Sequence, residues 1–381
     1  MLIEKENMQA YLTSNLYLVA LLSIIGAFFL TAMVIPKIIE IVNRRNLIDD
    51  PDDRSSHKKS TPTMAGVSFF LTLIFAIYFI KSWDIDLVSI NLITALTLIF
   101  AVGLKDDLVG SSPRSRIITE ILAIVFLLFC DCLSVTSFNG FLGVSSLPDI
   151  ITYAFIIVMI LTIINSYNLI DGIDGLASTI GVVIFSIYAI IFYLTGLIFY
   201  FLLCLSLVGI LLAFLRYNLS FTKKIFMGDT GSLVIGFCIG FFTLKFLAMD
   251  ASLFGEFSFF PENKLIVIAG ILYIPIFDTM RVILIRLLNK KSPFYPDRNH
   301  IHHILIDSGL SHYKSSLFLA ILNIFLAGFF IILSFYFSSF QMISFLVISS
   351  ALMFMMFYKL RENIKLRNKF KHIIRAINLL L

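Results

Sequence analysis

The chain has 381 residues, of which 59% are hydrophobic and only 14% charged, and its mean hydropathy is +0.97. A water-soluble domain has no interior large enough for that much apolar side chain, so the composition excludes a soluble fold and points to a chain solvated by lipid. The net charge of +5 does not call for a nucleic-acid partner, because the basic residues follow the pattern of membrane topology.

A helix crosses the hydrocarbon core in roughly 20 residues. Each span must satisfy its own backbone polar groups, so many spans imply a helical bundle. Eleven apolar runs qualify, at about 14–36, 64–80, 88–104, 117–134, 147–164, 176–195, 197–215, 231–249, 264–280, 315–337 and 339–358. The first is long, lacks a cleavage signature and leads into a basic loop, so it is expected to remain as a span. The second and fifth are short or carry a proline. The sixth and seventh are separated by little more than Thr195-Gly196, which predicts a tight hairpin.

Lys and Arg number six in 37–63, three in 105–116, three in 216–230, six in 281–314 and seven in 359–381, which is 25 of the 29 in the chain. The other side keeps Lys5, Lys81, Lys245 and Lys264. Basic loops stay cytoplasmic, so the N-terminus is expected outside and the C-terminus inside. The fold class that follows is an all-α polytopic membrane bundle of about eleven transmembrane helices. Residues 1–358 form one domain with cytoplasmic loops 37–63, 105–116, 165–175, 216–230 and 281–314. Residues 359–381 form a basic tail, expected to lie as an amphipathic helix on the anionic inner leaflet, with a disordered tail as the alternative. Cys130, Cys132, Cys204 and Cys238 fall in apolar runs and read as packing residues. Cys130-x-Cys132 has no second ligand pair, which argues against zinc.

Four stretches on the cytoplasmic side carry more than charge: PDDRSSHKKSTPTMAG (51–66), GLKDDLVGSSPRSR (103–116), INSYNLIDGIDGLA (164–177) with KIFMGDTGS (224–232), and PDRNHIHH (296–303). Asp106, Asp107, Asp171, Asp174 and Asp229 share one depth with Asn165 and Asn168. Adjacent carboxylates repel and cost energy to desolvate, so this set resembles a hard-cation site of the kind Mg²⁺ prefers. Asn165, Asn168, Asp171 and Asp174 recur every three residues, and an unbroken helix would rotate them off one face. Gly172 and Gly175 are therefore expected to loosen the helix so that the set wraps a ligand. The structural alternative is a helix start capped by Asp171 or Asp174. Gly228 and Gly231 let the backbone approach a ligand closely. Arg298, His300, His302 and His303 form a cationic cluster that reads as a phosphate site in preference to zinc. Asp278, after Pro275, either pairs with Arg281 or anchors a proline-broken helix. Glu120 and Lys245 are expected near span ends, snorkelling to water. Carboxylates for a divalent cation and cations for phosphates, at an inner membrane surface, suggest phosphoryl transfer.

These motifs, DPDDRSSHKKSTPTMAG, GLKDDL, NSYNLIDGIDGLA, FMGDTGS and PDRNHIHH, resemble in order and spacing those of the polyprenyl-phosphate N-acetylhexosamine-1-phosphate transferases, from about residue 49 to 310. The PDRNHIHH form is similar to the WecA- and TagO-like branch. The resemblance implies transfer of a sugar-1-phosphate from a UDP-N-acetylhexosamine, most simply UDP-GlcNAc, to undecaprenyl phosphate in the cell membrane, with release of UMP. It implies Mg²⁺, with Mn²⁺ as a substitute, and is compatible with a homodimer. By carry-over, Asp106 and Asp107 are the catalytic pair, one of them deprotonating or positioning the lipid phosphate, or forming a phospho-aspartyl intermediate. Asn168 and Asp229 match the metal ligands. Asp171 and Asp174 match nucleotide-side positions, Phe226 the uracil-stacking aromatic, Lys58 or Lys59 would face the nucleotide, and Asn165 is expected to bind substrate. Arg298, His300, His302 and His303 would bind phosphates or sugar. Two departures stand out. Arg114 and Arg116 replace the lysines common after the aspartate pair, and Ala65-Gly66 replaces a glycine pair. A transporter would instead need charges buried mid-span, and a CDP-alcohol phosphotransferase needs a longer aspartate signature than DGIDGLA.

Overall fold

The computed structural model describes residues 15–45, 47–49, 61–80, 86–250, 252–253, 260–293, 295 and 297–380, and not the side chains of 48–49, 86–87, 365 and 367–380. Among these are thirteen α-helices. α1 (Leu16–Arg45) leads into a two-stranded antiparallel ribbon, β1 (Ile48–Asp49) and β2 (Thr61–Pro62), with Ile48 opposite Pro62. Then come α2 (Gly66–Ile80), α3 (Asp86–Val109), α4 (Pro113–Leu128), α5 (Asp149–Ile170), α6 (Leu176–Leu194) and α7 (Ile198–Asn218). α8 (Gly228–Ala248), α9 (Lys264–Ile271), α10 (Tyr273–Leu288), α11 (Ile301–Ser308), α12 (His312–Leu333) and α13 (Ser339–Leu380) complete the bundle.

Each of the eleven apolar runs contains a helix, but length divides them. Among the described residues, eight helices are long and apolar enough to cross a membrane, and a ninth span results if α9 and α10 cross together. α2 has 15 residues and α4 has 16, short of the roughly 20 that a perpendicular crossing needs. α4 stops at Leu128, so Cys130 and Cys132 lie in the loop beyond it, and Cys132 is exposed; Cys204 and Cys238 are buried packing residues as expected.

α8 is the axis of the bundle. Nine-tenths of it is buried, 89% of its most apolar window, and it packs against α2, α3, α5 and α6. Its sequence permits this because small residues let backbones approach. A Cβ on Gly66 of α2 would collide with the backbone of Gly231, and the opposite face of α8 presents Gly236 and Gly240 to Ile164 and Ile160 of α5. α1 and α6 both lie on α7, and α12 closes against α6 and α9.

The α9–α10 pair bends by 74°. The break falls at Leu272, three residues before Pro275, so proline marks the first turn of α10, where its missing N–H is of no consequence. The freed backbone groups are answered from α12. Fully buried Asn323 accepts from the Ile274 N–H at 3.1 Å and donates to the Ile271 carbonyl at 3.0 Å. Such outside support is what tolerates a broken helix in an apolar surrounding. The last helix corrects a boundary: α13 runs unbroken from Ser339 to Leu380, so 359–380 continues the preceding span without a separate start.

Candidate active site

The N-terminus of α8 gathers the signature loops. Ala65 and Gly66 donate to the carbonyls of Phe226 and Met227, at 3.2 and 3.1 Å, and Phe226 donates to the Pro62 carbonyl at 2.8 Å. Asp107, at the end of α3, caps α8 from the other side. Its carboxylate accepts from the N–H groups of Asp229 and Thr230, at 2.7 and 3.0 Å, and from Thr230 Oγ1 at 2.5 Å. These are backbone donors that a helix start otherwise leaves unpaired, and the helix dipole favours the anion there. Gly228 has φ +73°, and a Cβ on it would lie 2.7 Å from Asp107 Oδ2, so both the conformation and the space require glycine.

Asp229, the second residue of α8, points into a polar network. Asn168 on the last turn of α5 donates to Asp229 Oδ1 and to Ser232 Oγ, both at 2.7 Å. Arg116 of α4 places Nη1 3.3 Å from Asp229 Oδ1 and 3.7 Å from Asp106 Oδ2, while its Nε donates to Glu120 Oε1 at 3.0 Å. Glu120 is fully buried and also accepts from Asn165 at 3.1 Å, so it does not snorkel but holds Arg116 and Asn165 together. Arg116 is aimed by the local sequence: Ser112 caps α4 by accepting from the Ser115 N–H at 3.2 Å, with Pro113 in the first turn. Asp106 accepts from the Ser111 N–H at 2.6 Å.

The run 165–175 breaks as its glycines predict. α5 ends at Ile170, Asp171 is its C-cap, and α6 begins after Gly175, whose φ is +81°. The cap of α6 is therefore glycine and not an aspartate, and the Gly175 N–H donates to buried Asn218 at 2.6 Å. Burial raises the Asp171 carboxyl to about 7, helped by the negative charges of Asp229, Asp174 and Asp107. Asp174 is different: burial pushes it up, but hydrogen bonds from His312 and Lys224 outweigh that and hold it below its ordinary value. Lys224 Nζ lies 2.7 Å and His312 Nδ1 3.0 Å from Asp174 Oδ2, and the same Lys224 stands 5.2 Å above the Phe226 ring.

The histidine motif stands on α10 and α11. Asp278, buried in α10, accepts from His300 Nδ1 at 2.9 Å, from the Ile301 N–H at 2.9 Å and from Arg281 at 3.0 Å. Asp278 thus pairs with Arg281, the simpler of the two expectations, and in addition caps α11. Arg281 also donates to the Asn299 carbonyl. Arg286 fixes the same loop through Asp297 at 3.0 Å. His302 lies against Gly172, where any Cβ would collide with its Nε2, so the histidine motif meets the NLIDGIDG break. The expected cationic character is corrected for two of the histidines: burial holds His302 well below its usual range and lowers His303 to about 4. Both leave Nδ1 buried without a partner. His300 is engaged by Asp278, and Arg298 lies 3.7 Å from Asp307.

Asn165, Asn168, Asp106, Asp107, Asp171, Asp174, Phe226 and Asp229 therefore meet around one helix end, with His302 beside them. Arg298, His300 and His303 belong to the adjoining loop, and Lys58 and Lys59 lie outside the described residues. Motif reading missed Glu120, Lys224, His312, Thr230 and Ser232. The signal for Glu120 was its spacing of four from Arg116; nothing local marked His312, which reaches Asp174 across 138 residues. Among the described residues no three His, Cys, Asp or Glu side chains stand close enough to hold a metal ion. An apolar cavity of about 550 Å³ opens between α10 and α13, lined by Tyr273, Phe277, Met280, Arg281 and Leu346.

Carboxylates facing histidines and arginines gather at one end of an apolar helical bundle, an arrangement suited to phosphoryl transfer. Residues 89–247 match the family described as glycosyl transferase family 4. The chain is 31% identical over 318 residues to the "Probable undecaprenyl-phosphate N-acetylglucosaminyl 1-phosphate transferase" of Bacillus subtilis (strain 168), covering 81% of this chain and 83% of that protein. It is 28% identical over 315 residues to the "Undecaprenyl-phosphate alpha-N-acetylglucosaminyl 1-phosphate transferase" of Salmonella typhi, covering 82% and 83%. To the protein of the same description in Escherichia coli (strain K12) it is 26% identical over 292 residues, covering 76% and 77%. The chain belongs to glycosyl transferase family 4.

Proposed function

We propose that the chain transfers N-acetylglucosamine-1-phosphate from UDP-GlcNAc to undecaprenyl phosphate, releasing UMP and starting a lipid-linked envelope glycan. The observation that carries this reading is the meeting of Asp106, Asp107, Asn168, Asp171 and Asp229 at the N-terminus of α8, together with relatives described as carrying out that transfer. An oxygen of the lipid phosphate attacks the phosphorus that bears the sugar. The bond between that phosphorus and the bridging oxygen breaks, and UMP leaves with the electron pair.

The roles follow from the contacts. Asp107 has its carboxylate committed to three donors, so it holds the helix that presents Asp229. Asp106, held by one backbone donor and facing Arg116, is the member of the pair that meets the lipid phosphate and takes its proton. Mg²⁺ fits the site by donor chemistry, since hard oxygen ligands prevail and Asp171 is raised by burial and then by the carboxylates around it. Asp229 and Asn168 would hold it. When bound it supplies neutralisation of charge on the transferred phosphate. Arg116, now between Asp106 and Asp229, would yield to it. Phe226 stacks on uracil beside Lys224, and Arg298 with His303 meets the pyrophosphate. The cavity beside α10 has the apolar lining that part of a polyprenyl chain requires.

The wider arrangement proposed is eleven spans, with the N-terminus outside and the site on the cytoplasmic face, supported by the distribution of Lys and Arg. Membranes containing the protein, supplied with UDP-GlcNAc, undecaprenyl phosphate and Mg²⁺, should release UMP. Parallel incubations with UDP-GalNAc and UDP-MurNAc-pentapeptide identify the donor, and release from neither UDP-GlcNAc nor UDP-GalNAc would overturn the reading.

A further inference from the structure

α13 does not end where its apolar part ends. The apolar run ends at Tyr358, yet the helix continues to Leu380. Arg361 lies about 33 Å along it from Ser339, at 1.5 Å per residue, just past the ~30 Å of a hydrocarbon core. There its guanidinium turns onto the histidine loop, where α11 packs against α13. Nη1 meets Asp307 Oδ2 at 2.5 Å, and Nη2 donates to the backbone carbonyl of Arg298 at 3.3 Å. The other carboxylate oxygen of Asp307 lies 3.7 Å from Nη2 of Arg298. One carboxylate thus stands between two guanidiniums, and Arg361 touches both the backbone and the counter-ion of Arg298. The Arg361 Nε is buried without a hydrogen-bond partner. A solvated surface arginine keeps that group in water; here its hydration is given up for the contact.

We infer that Arg361 is a positioning residue for the transfer reaction. Through Asp307 and through the Arg298 carbonyl it fixes the direction from which Arg298 meets the pyrophosphate of the nucleotide sugar. The inference rests on the phosphate-binding role assigned to Arg298 above. Without Arg361, the hold of Asp307 on the Arg298 guanidinium is no longer shared with Arg361, and the loop backbone at Arg298 loses a donor. Arg361 touches no reacting atom, so its loss weakens donor binding more than turnover. The last span is then part of the active site, although residues 359–381 read from sequence as a membrane-surface tail.

The test compares full-length wild type with Arg361→Gln, Arg361→Lys and, as a control for basic charge on the same helix, exposed Lys359→Gln. UMP release is measured against UDP-GlcNAc concentration, alongside melting temperature and hydrogen exchange of residues 297–308. Arg361→Gln should raise KM for the donor about five- to twentyfold, with kcat within about threefold, and speed exchange in Ile301–Ser308 about tenfold. Arg361→Lys should fall between, and Lys359→Gln should match wild type. Arg361→Gln indistinguishable from Lys359→Gln in KM and exchange overturns the inference. So does a lowered melting temperature with kcat reduced and KM unchanged, which would mark a structural role alone. If wild type itself releases no UMP, the functional reading fails separately, and the exchange comparison decides by itself whether Arg361 holds the loop.

Discussion

The start of α8 and the histidine loop are both rich in charge, but they balance it differently. In the loop every acid has cations against it: Asp278 has Arg281 and His300, Asp297 has Arg286, and Asp307 has Arg298 and Arg361. Around α8, Asp174 has Lys224 and His312, but Asp106 and Asp229 share the guanidinium of Arg116, and Asp171 is raised by burial and then by its acidic neighbours. Among the described residues, the loop is electrostatically complete as folded, whereas the helix end carries more acid than positive charge. The proposed cation site and the loop built to stay in place are told apart by this imbalance more than by composition.

The largest expected effect separates the two regions by activity. Asp229→Asn should lower UMP release at least about a hundredfold, the order seen when one transition-state charge contact is removed, while melting temperature stays level, since relief from the neighbouring carboxylates offsets the weakened Arg116 contact. Asp107→Asn should lower turnover as far and also destabilise, by about 1–3 kcal/mol, because an amide NH2 in place of one carboxylate oxygen leaves donors at the start of α8 unpaired. A variant of either residue that turns over normally would break the assignment.

Next is the reverse case. Asp278→Ala leaves Arg281 buried without its carboxylate and uncaps α11, so chemical denaturation should show a loss of about 3–5 kcal/mol. Loss of activity without loss of stability there would mean that the loop is not the balanced region described. Cation binding sharpens the comparison further. Mg²⁺ at about a hundred times its dissociation constant should stabilise wild type by about 2.7 kcal/mol, measured by thermal shift, with no shift for Asp229→Asn and a full shift for Arg286→Lys.

The smallest effect is on pH. Burial lowers His303 to about 4 from an ordinary 6.5, so the unfolded chain takes up a proton that the folded chain refuses. Stability should therefore decline as pH falls from 6.5 towards 4, and melting curves at pH 7 and 5 should differ less for His303→Gln than for wild type. Equal differences would place the titration elsewhere.

Much of this was legible in sequence because the informative residues sit where apolar runs stop. Asp106-Asp107, Asn168 and Asp229 each mark a helix end, and periodicity located those ends closely enough to put the acids at one depth. What escaped notice depends on tertiary contact. The capping of α8 by Asp107 needs α3 and α8 side by side, and Glu120 reads as a snorkelling acid until Asn165 and Arg116 enclose it. The tail was divided from its span because charge changes at 359, although nothing in KLRENIK interrupts a helix. The elbow was assigned to Pro275, whereas the break precedes it.

That elbow has a mechanical consequence. One carboxamide on α12 holds both sides of the break, so the direction of α10 is dictated by a neighbour and not by any weakness in its own chain. α10 and α12 must then travel as a unit, and whatever enters beside Tyr273 and Phe277 presses on a braced wall, with Asp278 and His300 mounted on its inner end.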